Sequence, residues 1–248
     1  SIAMSNIKFV SCNSYEELSK LVGQEFINTV LNKPNAVLGL ATGSSPIGTY
    51  NFLASEFANK KVSFKDCLSF NLDEYVGLTK KYENQSYWYF MNQNLFSKID
   101  INKNNTFFPV GAFNNTAMNN FEKYDEKIAK AGGMDILLLG IGNNGHIGFN
   151  EPGSAIDSKT RLVDLTDSTI EANSRFFEKK TDVPTQAVSM GLATILKAKK
   201  IILIVVGKSK KEAFEKLKNS QQFDSNWPCT ALVKHSNTTV YYIKNDFN

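Results

Sequence analysis

Met134-Asp135-Ile136-Leu137-Leu138-Leu139-Gly140 runs directly into Ile141-Gly142-Asn143-Asn144-Gly145-His146-Ile147-Gly148-Phe149-Asn150-Glu151-Pro152. The first seven residues read as a strand, and the unbroken apolar run from Ile136 fits a strand covered on both faces. Glycine then recurs too often for a helix, so the chain leaves this strand in a loop. Ile7–Ser11, Ala36–Ala41, Cys67–Leu72 and Ile201–Gly207 are strand-like in the same way. Amphipathic helical patterns lie between them at Tyr15–Leu31, Ile47–Phe57, Asn84–Phe96, Met118–Ala131, Asp167–Phe176 and Lys210–Leu217. In the first of these Leu18, Leu21, Val22, Phe26 and Val30 fall near one face. Strand–helix alternation from end to end predicts an α/β fold: a doubly wound, mostly parallel sheet with helices on both faces. Proline and glycine are dispersed, and neither a repeat nor a Ser/Gly-rich linker divides the chain. Residues 4–248 therefore read as a single, Rossmann-like domain, with Ser1-Ile2-Ala3 ahead of Met4 as a remnant of cloning.

Composition narrows the classes. Of 248 residues 42% are hydrophobic and 21% charged, which excludes disordered and fibrous chains. Basic residues number 28 against 24 acids, an excess of 4 that is too small for a nucleic-acid surface. Only Arg161 and Arg175 are arginines, so a site needing planar, bidentate recognition of an anion has few candidates. The three cysteines, Cys12, Cys67 and Cys229, are far apart and form no C-x-x-C pair. They read as reduced, buried thiols and not as a disulfide frame or a zinc site. The longest apolar runs, Ile136–Gly142 and Ile201–Val206, fall well short of the ~20 residues of a membrane span. No basic segment followed by an apolar one opens the chain. The expectation is a cytoplasmic protein with no membrane and no nucleic-acid partner.

Ligands of such sheets bind beyond the carboxyl ends of the strands, where three segments stand out. Ala41-Thr42-Gly43-Ser44-Ser45-Pro46 places hydroxyls and a glycine turn beside the free N–H groups of a helix start, an anion seat suited to phosphate. The same residues would serve equally as a helix cap. They form neither a Walker loop nor G-x-G-x-x-G. In Asn71-Leu72-Asp73-Glu74-Tyr75 the two acids point to opposite faces of an extended chain, so they do not form a carboxylate pair. One faces the cleft and the other makes structural hydrogen bonds, or both belong to an acidic loop. Gly140–Pro152 holds four glycines, His146 and Glu151. Such a loop lets backbone approach a ligand closely and supplies a proton-transfer group that works near neutral pH. His235 stands alone elsewhere, so a metal site is not expected.

Asn71-Leu72-Asp73-Glu74-Tyr75-Val76-Gly77-Leu78, Gly140–Pro152 and Ala172-Asn173-Ser174-Arg175-Phe176-Phe177 together resemble the glucosamine-6-phosphate deaminases. That family shares a superfamily with 6-phosphogluconolactonases. The resemblance runs from Ile7 to about Ile243, with the motifs in the same order. It implies conversion of glucosamine 6-phosphate and water into fructose 6-phosphate and ammonia, with no cofactor and no metal. By resemblance Asp73 is the base that moves a proton from C2 to C1. His146 is the ring-opening acid/base, and Glu151 is the carboxylate that orients or charges it. The phosphate would be held by Gly43, Ser44, Ser45, Arg175 and Lys210, with Lys208 and Lys211 close enough in sequence to exchange with Lys210.

Two departures from the family pattern matter. Many members carry Asp two residues before the loop histidine, where this chain has Asn144. An amide orients an imidazole but does not stabilise its cation, which leaves Glu151 as the charged partner. Larger relatives are hexamers activated by N-acetylglucosamine 6-phosphate through a basic residue two places after the arginine matching Arg161, and a tyrosine in a longer tail. Here that place is Val163, and the sequence ends at Asn248. The expectation is an unregulated form, a monomer or small homo-oligomer. A 6-phosphogluconolactonase or a non-catalytic sugar-phosphate sensor are the rivals. Phe149–Pro152 disfavours the first, and the lack of length for a helix-turn-helix disfavours the second.

Overall fold

The computed structural model describes residues 6–113 and 120–248. In chain order the strands and helices begin with β1 (Lys8–Cys12), α1 (Tyr15–Asn32), β2 (Val37–Leu40), α2 (Ile47–Ala58), β3 (Leu68–Asn71) and β4 (Asp73–Val76). They continue with α3 (Tyr87–Asn94), β5 (Thr106–Phe107), α4 (Lys123–Lys130), β6 (Ile136–Leu139), β7 (Arg161–Asp164) and α5 (Asp167–Asn173). Last come β8 (Gln186–Ser189), α6 (Leu192–Leu196), β9 (Ile201–Val205), α7 (Lys211–Asn219) and β10 (Thr238–Ile243).

Seven strands form one wholly parallel sheet in the order β1-β10-β9-β6-β2-β3-β5. Its inner strands are buried on both faces, as their uninterrupted apolar runs require. Ile136 and Leu138 of β6 join Ile202 and Ile204 of β9 in a core with Leu18 and Phe26 of α1 and Leu53 of α2. Leu137 and Leu139 join Ile201 and Leu203 in the opposite core, with Ile128 of α4, Ile195 of α6 and Phe214 of α7. Each such aliphatic side chain contributes about 1.5–3 kcal/mol by leaving water, and the alternation fixes the register of the sheet. The three cysteines are free and buried, and burial raises Cys12 to about 11 and Cys67 and Cys229 to about 12.

The structure corrects the sequence reading in several places. A second sheet, antiparallel β4-β8-β7, was not anticipated. Its strands have four residues each, and Arg161–Asp164 alternates half-buried with exposed side chains, so no apolar run announces them. Strands β5 and β10 are also additions. The expected helix Asn84–Phe96 breaks at Ser86, whose extended backbone and side-chain oxygen start α3 anew at Tyr87. Asp167–Phe176 is helical only to Asn173 and closes in a 3-10 turn. Helix α4 begins at Lys123 rather than Met118, and Met118 and Asn119 lie outside the described residues.

Candidate active site

The order of the sheet brings the three loops singled out in the sequence to one edge. Strands β9, β6, β2 and β3 are consecutive neighbours and run in the same direction. The segments leaving their carboxyl ends carry Lys210, Gly140–Pro152, Thr42–Ser45 and Asp73, in that spatial order. They enclose a cavity of about 560 Å³ lined by Gly43, Ser44, Ser45, Asp73, His146 and Lys210.

The Thr42–Ser45 loop is held from outside. The Tyr15 hydroxyl of α1 donates to the Ser45 carbonyl at 2.6 Å and accepts from the Gly48 N–H at 2.9 Å. Helix α2 starts at Pro46 without any side-chain cap, so the hydroxyls do not play the capping role open to them. Thr42, Ser44 and Ser45 line the cavity beside a helix start, where an anion is favoured by roughly 0.3–1 kcal/mol. Lys210, in the turn after β9, is half-buried and lines the cavity, and burial lowers its pKa. Lys208 and Lys211 are exposed and do not line it.

Asp73 and Glu74 divide as alternation along a strand demands. Glu74 is fully buried and turns away from the cavity. It accepts the N–H groups of Tyr75, Tyr87 and Trp88 at 2.8–3.0 Å, while Ser86 Oγ accepts that of Tyr89. The first three donors of α3 are thereby satisfied. Asp73 lines the cavity and accepts no hydrogen bond from the described residues. Burial, and then the charge of Glu74, push it up to about 8. Burial also lifts Glu74, to about 7, against the three N–H groups that hold it down.

In the loop after β6, the Gly142 N–H donates to the His146 carbonyl at 2.9 Å, folding the chain back on itself. The imidazole packs over Gly142 so closely that a Cβ there would lie 2.0 Å from His146 Cε1. Asn144 sits between histidine and acid. Its Oδ1 is 2.8 Å from His146 Nδ1 and accepts the His146 N–H at 3.1 Å, and its Nδ2 donates to Glu151 Oε2 at 2.8 Å. Glu151 Oε1 is 3.7 Å from the same Nδ1. Because the carboxylate only accepts, the amide must turn its oxygen to the ring, so Nδ1 carries the proton and Nε2 keeps a free lone pair. Burial lowers the His146 pKa, Glu151 raises it and Lys210 lowers it; the net shift is downward. Asn144 and Glu151 line an adjoining cavity of about 390 Å³, which shares His146 and Lys210 with the first.

Arg175 is not brought to the cavity. It is exposed in the 3-10 turn after α5, with its guanidinium 4.7 Å from the Phe176 ring, while Asn173, Phe176 and Phe177 beside it line the wall. Sequence reasoning also missed an aromatic wall. Tyr87 stacks on Phe149 with centroids 6.2 Å apart, and the Tyr75 hydroxyl bonds that of Tyr87 and the Asn173 amide. The run Tyr87-Trp88-Tyr89-Phe90 was its only trace in the sequence. His235 is buried with Nδ1 2.8 Å from Thr238 Oγ1. Among the described residues no group of three or more His, Cys, Asp or Glu is placed to hold a metal ion.

The family model of glucosamine-6-phosphate isomerases and 6-phosphogluconolactonases matches residues 13–241. The chain belongs to that family. Within it, a glucosamine-6-phosphate deaminase of Malacoplasma penetrans is 66% identical over 239 residues, covering 96% of this chain and 99% of the relative. A glucosamine-6-phosphate deaminase of Lysinibacillus sphaericus is 45% identical over 95% of this chain and 98% of its own length. A solved monomeric glucosamine-6-phosphate deaminase superposes with a TM-score of 0.90 at 40% identity, covering 96% of this chain and 98% of that one. The 6-phosphogluconolactonase of Trypanosoma cruzi superposes at 0.73 with 20% identity over 96% of each chain, a likeness of fold alone.

Proposed function

We propose that this chain converts glucosamine 6-phosphate and water into fructose 6-phosphate and ammonia. The observation that carries this reading is the meeting of Asp73, His146 and the Thr42–Ser45 loop around one cavity, in a chain 66% identical to a deaminase of that substrate. The phosphate rests on Gly43, Ser44, Ser45 and Lys210. Arg175, exposed in the turn beside the lining residues Phe176 and Phe177, is the further cation near this seat. Neutral His146 takes the C1 hydroxyl proton on Nε2 and returns it to the ring oxygen, opening the sugar, with Asn144 holding the tautomer and Glu151 stabilising the transient cation. Asp73, ionised, removes the proton from C2 and delivers it to C1. With one N–H proton passing from the amine to O1, the C1 aldehyde becomes an alcohol and the C2 amine an imine, which water hydrolyses to the ketone and ammonia. A positioned acid or base of this kind contributes about 100- to 10,000-fold.

The raised pKa of Asp73 suits this role, since a stronger base better abstracts a carbon-bound proton once ionised. Residues 4–248 act as one unit and, like the solved deaminase superposed on it, as a monomer. No described helix is long and apolar enough to cross a membrane. The test is ammonia release from glucosamine 6-phosphate, with hydrolysis of 6-phosphogluconolactone as comparison. Release from the first with no turnover of the second is expected, and the reverse pattern overturns the reading.

A further inference from the structure

The second sheet puts Asp73, Ser189 and Arg161 on one rung, because Asp73 of β4 pairs with Ser189 of β8, and Ser189 pairs with Arg161 of β7. Residues directly opposite each other in an antiparallel sheet project to the same face. On that face lies the glycine-rich loop. Ser189 Oγ accepts the Phe149 N–H at 3.0 Å and donates to the Met190 carbonyl at 3.0 Å. Arg161 Nη1 donates to Asn150 Oδ1 at 2.6 Å and leans on the Met190 carbonyl at 3.4 Å. Asn150, wholly buried, uses its Nδ2 to hold the Ile147 and Met190 carbonyls at 2.9 Å each. Gly148, at φ +57°, lets the backbone come so near that a Cβ there would be 3.0 Å from Ser189 Oγ and 3.9 Å from Asp73 Oδ2.

The pinned stretch 147–150 is bracketed by His146 and Glu151. We infer that Arg161 and Ser189 are positioning residues that lock this loop to the strand rung of Asp73 and so set the His146–Glu151 pair against the base. The inference deepens the reaction proposed above and rests on it for the catalytic roles alone. An arginine is the specific choice here. This chain otherwise uses lysine almost everywhere, and although both contacts come from the one nitrogen Nη1, a strongly hydrated ammonium on a flexible stem would not hold a donor there as the rigid planar guanidinium does. Nor does an acid explain the guanidinium, since among the described residues no carboxylate pairs with it.

The experiment uses full-length Arg161→Met, Arg161→Lys and Ser189→Ala, with kinetics on glucosamine 6-phosphate and the titration of His146 followed by NMR. The chain has two histidines, His146 and His235, so the signal is readily assigned. Arg161→Met and Ser189→Ala should lower kcat about 10- to 100-fold, the scale of a sub-ångström to 1 Å misplacement, and leave KM within about two-fold, because Gly43–Ser45 and Lys210 of the phosphate seat follow β2 and β9. The imidazole faces Glu151 and Lys210. Loosening Glu151 removes the influence that raises its pKa, so the His146 titration should fall to lower pH. Arg161→Lys should restore folding but only part of kcat. Folded variants with unmoved kcat and unmoved His146 titration overturn the inference. Should Arg161→Met not fold, Ser189→Ala removes a single oxygen and carries the same expectation. The titration needs no turnover: a shifted His146 in a chain that releases no ammonia would retain the positioning and reject the reaction.

Discussion

Two adjacent acids, Asp73 and Glu74, share one strand and divide two tasks between its faces. Glu74 spends its oxygens on the backbone donors of α3, while Asp73 is left buried without a donor. A group whose folded pKa stands above its ordinary value contributes stability as the neutral acid, in full below about pH 4, and loses it as pH rises through the folded value. For Asp73 that value is about 8. Asp73→Asn should therefore abolish isomerisation yet stabilise the fold. Thermal melts should show Tm a few degrees above the parent at pH 8, at about 2–4 °C per kcal/mol for this chain length, and equal to it near pH 4. Full solvent exchange of the C2 hydrogen in the variant would remove the base role from Asp73.

Asn144 is the other residue whose effect has a sign. Asn144→Asp replaces the oxygen 2.8 Å from His146 Nδ1 by a carboxylate, which favours the protonated ring. The limb of kcat/KM set by His146 should move to higher pH, with Glu151→Gln as the background control. Glu151 Oε2 lies 2.8 Å from the altered atom, so the two acids would share a proton and the titrations belong to the cluster. An unmoved limb in an active variant would show that residue 144 does not address the histidine. His146, Glu151 and the opposite facing of Asp73 and Glu74 were legible in the sequence, since glycine density and strand alternation are local signals. Which acid faced the cavity was named by the resemblance alone and not by the local pattern, because the donors that claim Glu74 come from a helix start concealed within an apparently continuous pattern.

At the scale of elements, the parallel sheet was readable from its apolar runs, and the small antiparallel sheet was not. Four-residue strands with one exposed side show too few alternations to distinguish them from loop. Arg161 carried no local mark for the same reason: only the register of β7 and β8 brings it to the glycine-rich loop. Arg175 shows the reverse case, a motif residue that the fold leaves on the rim. Arg175→Ala should raise KM for the phosphorylated sugar several-fold with little change in kcat, because contact with the non-reacting phosphate is the same in ground and transition states. A collapsed kcat at unchanged KM would move Arg175 to the reacting end.

Across the whole molecule, the four neighbouring strands β9, β6, β2 and β3 make one chain sufficient for the cavity. Arg161, which by resemblance would serve an effector site between subunits, is here engaged with Asn150, and Val163 offers no charge. The rate should depend hyperbolically on glucosamine 6-phosphate and be unaffected by N-acetylglucosamine 6-phosphate, since an effector shifts a population only by binding one state better. A sigmoidal curve that the effector straightens would overturn this. The order of the sheet also has a consequence for biosynthesis. Among the described residues strand β1 has β10 as its sole neighbour, and β10 fills the gap between β1 and β9. At roughly 5–20 residues per second of translation, Lys8 waits on the order of ten to fifty seconds for Thr239, its partner in register. For about the last 2–7 seconds of that interval at the same rate, from the completion of β9 at Val205 until Thr238 is added, the nascent chain displays the unpaired edge of β9, an apolar Ile-Ile-Leu-Ile-Val ribbon. Ribosome-stalled chains ending before β10 should therefore be the species that chaperones capture.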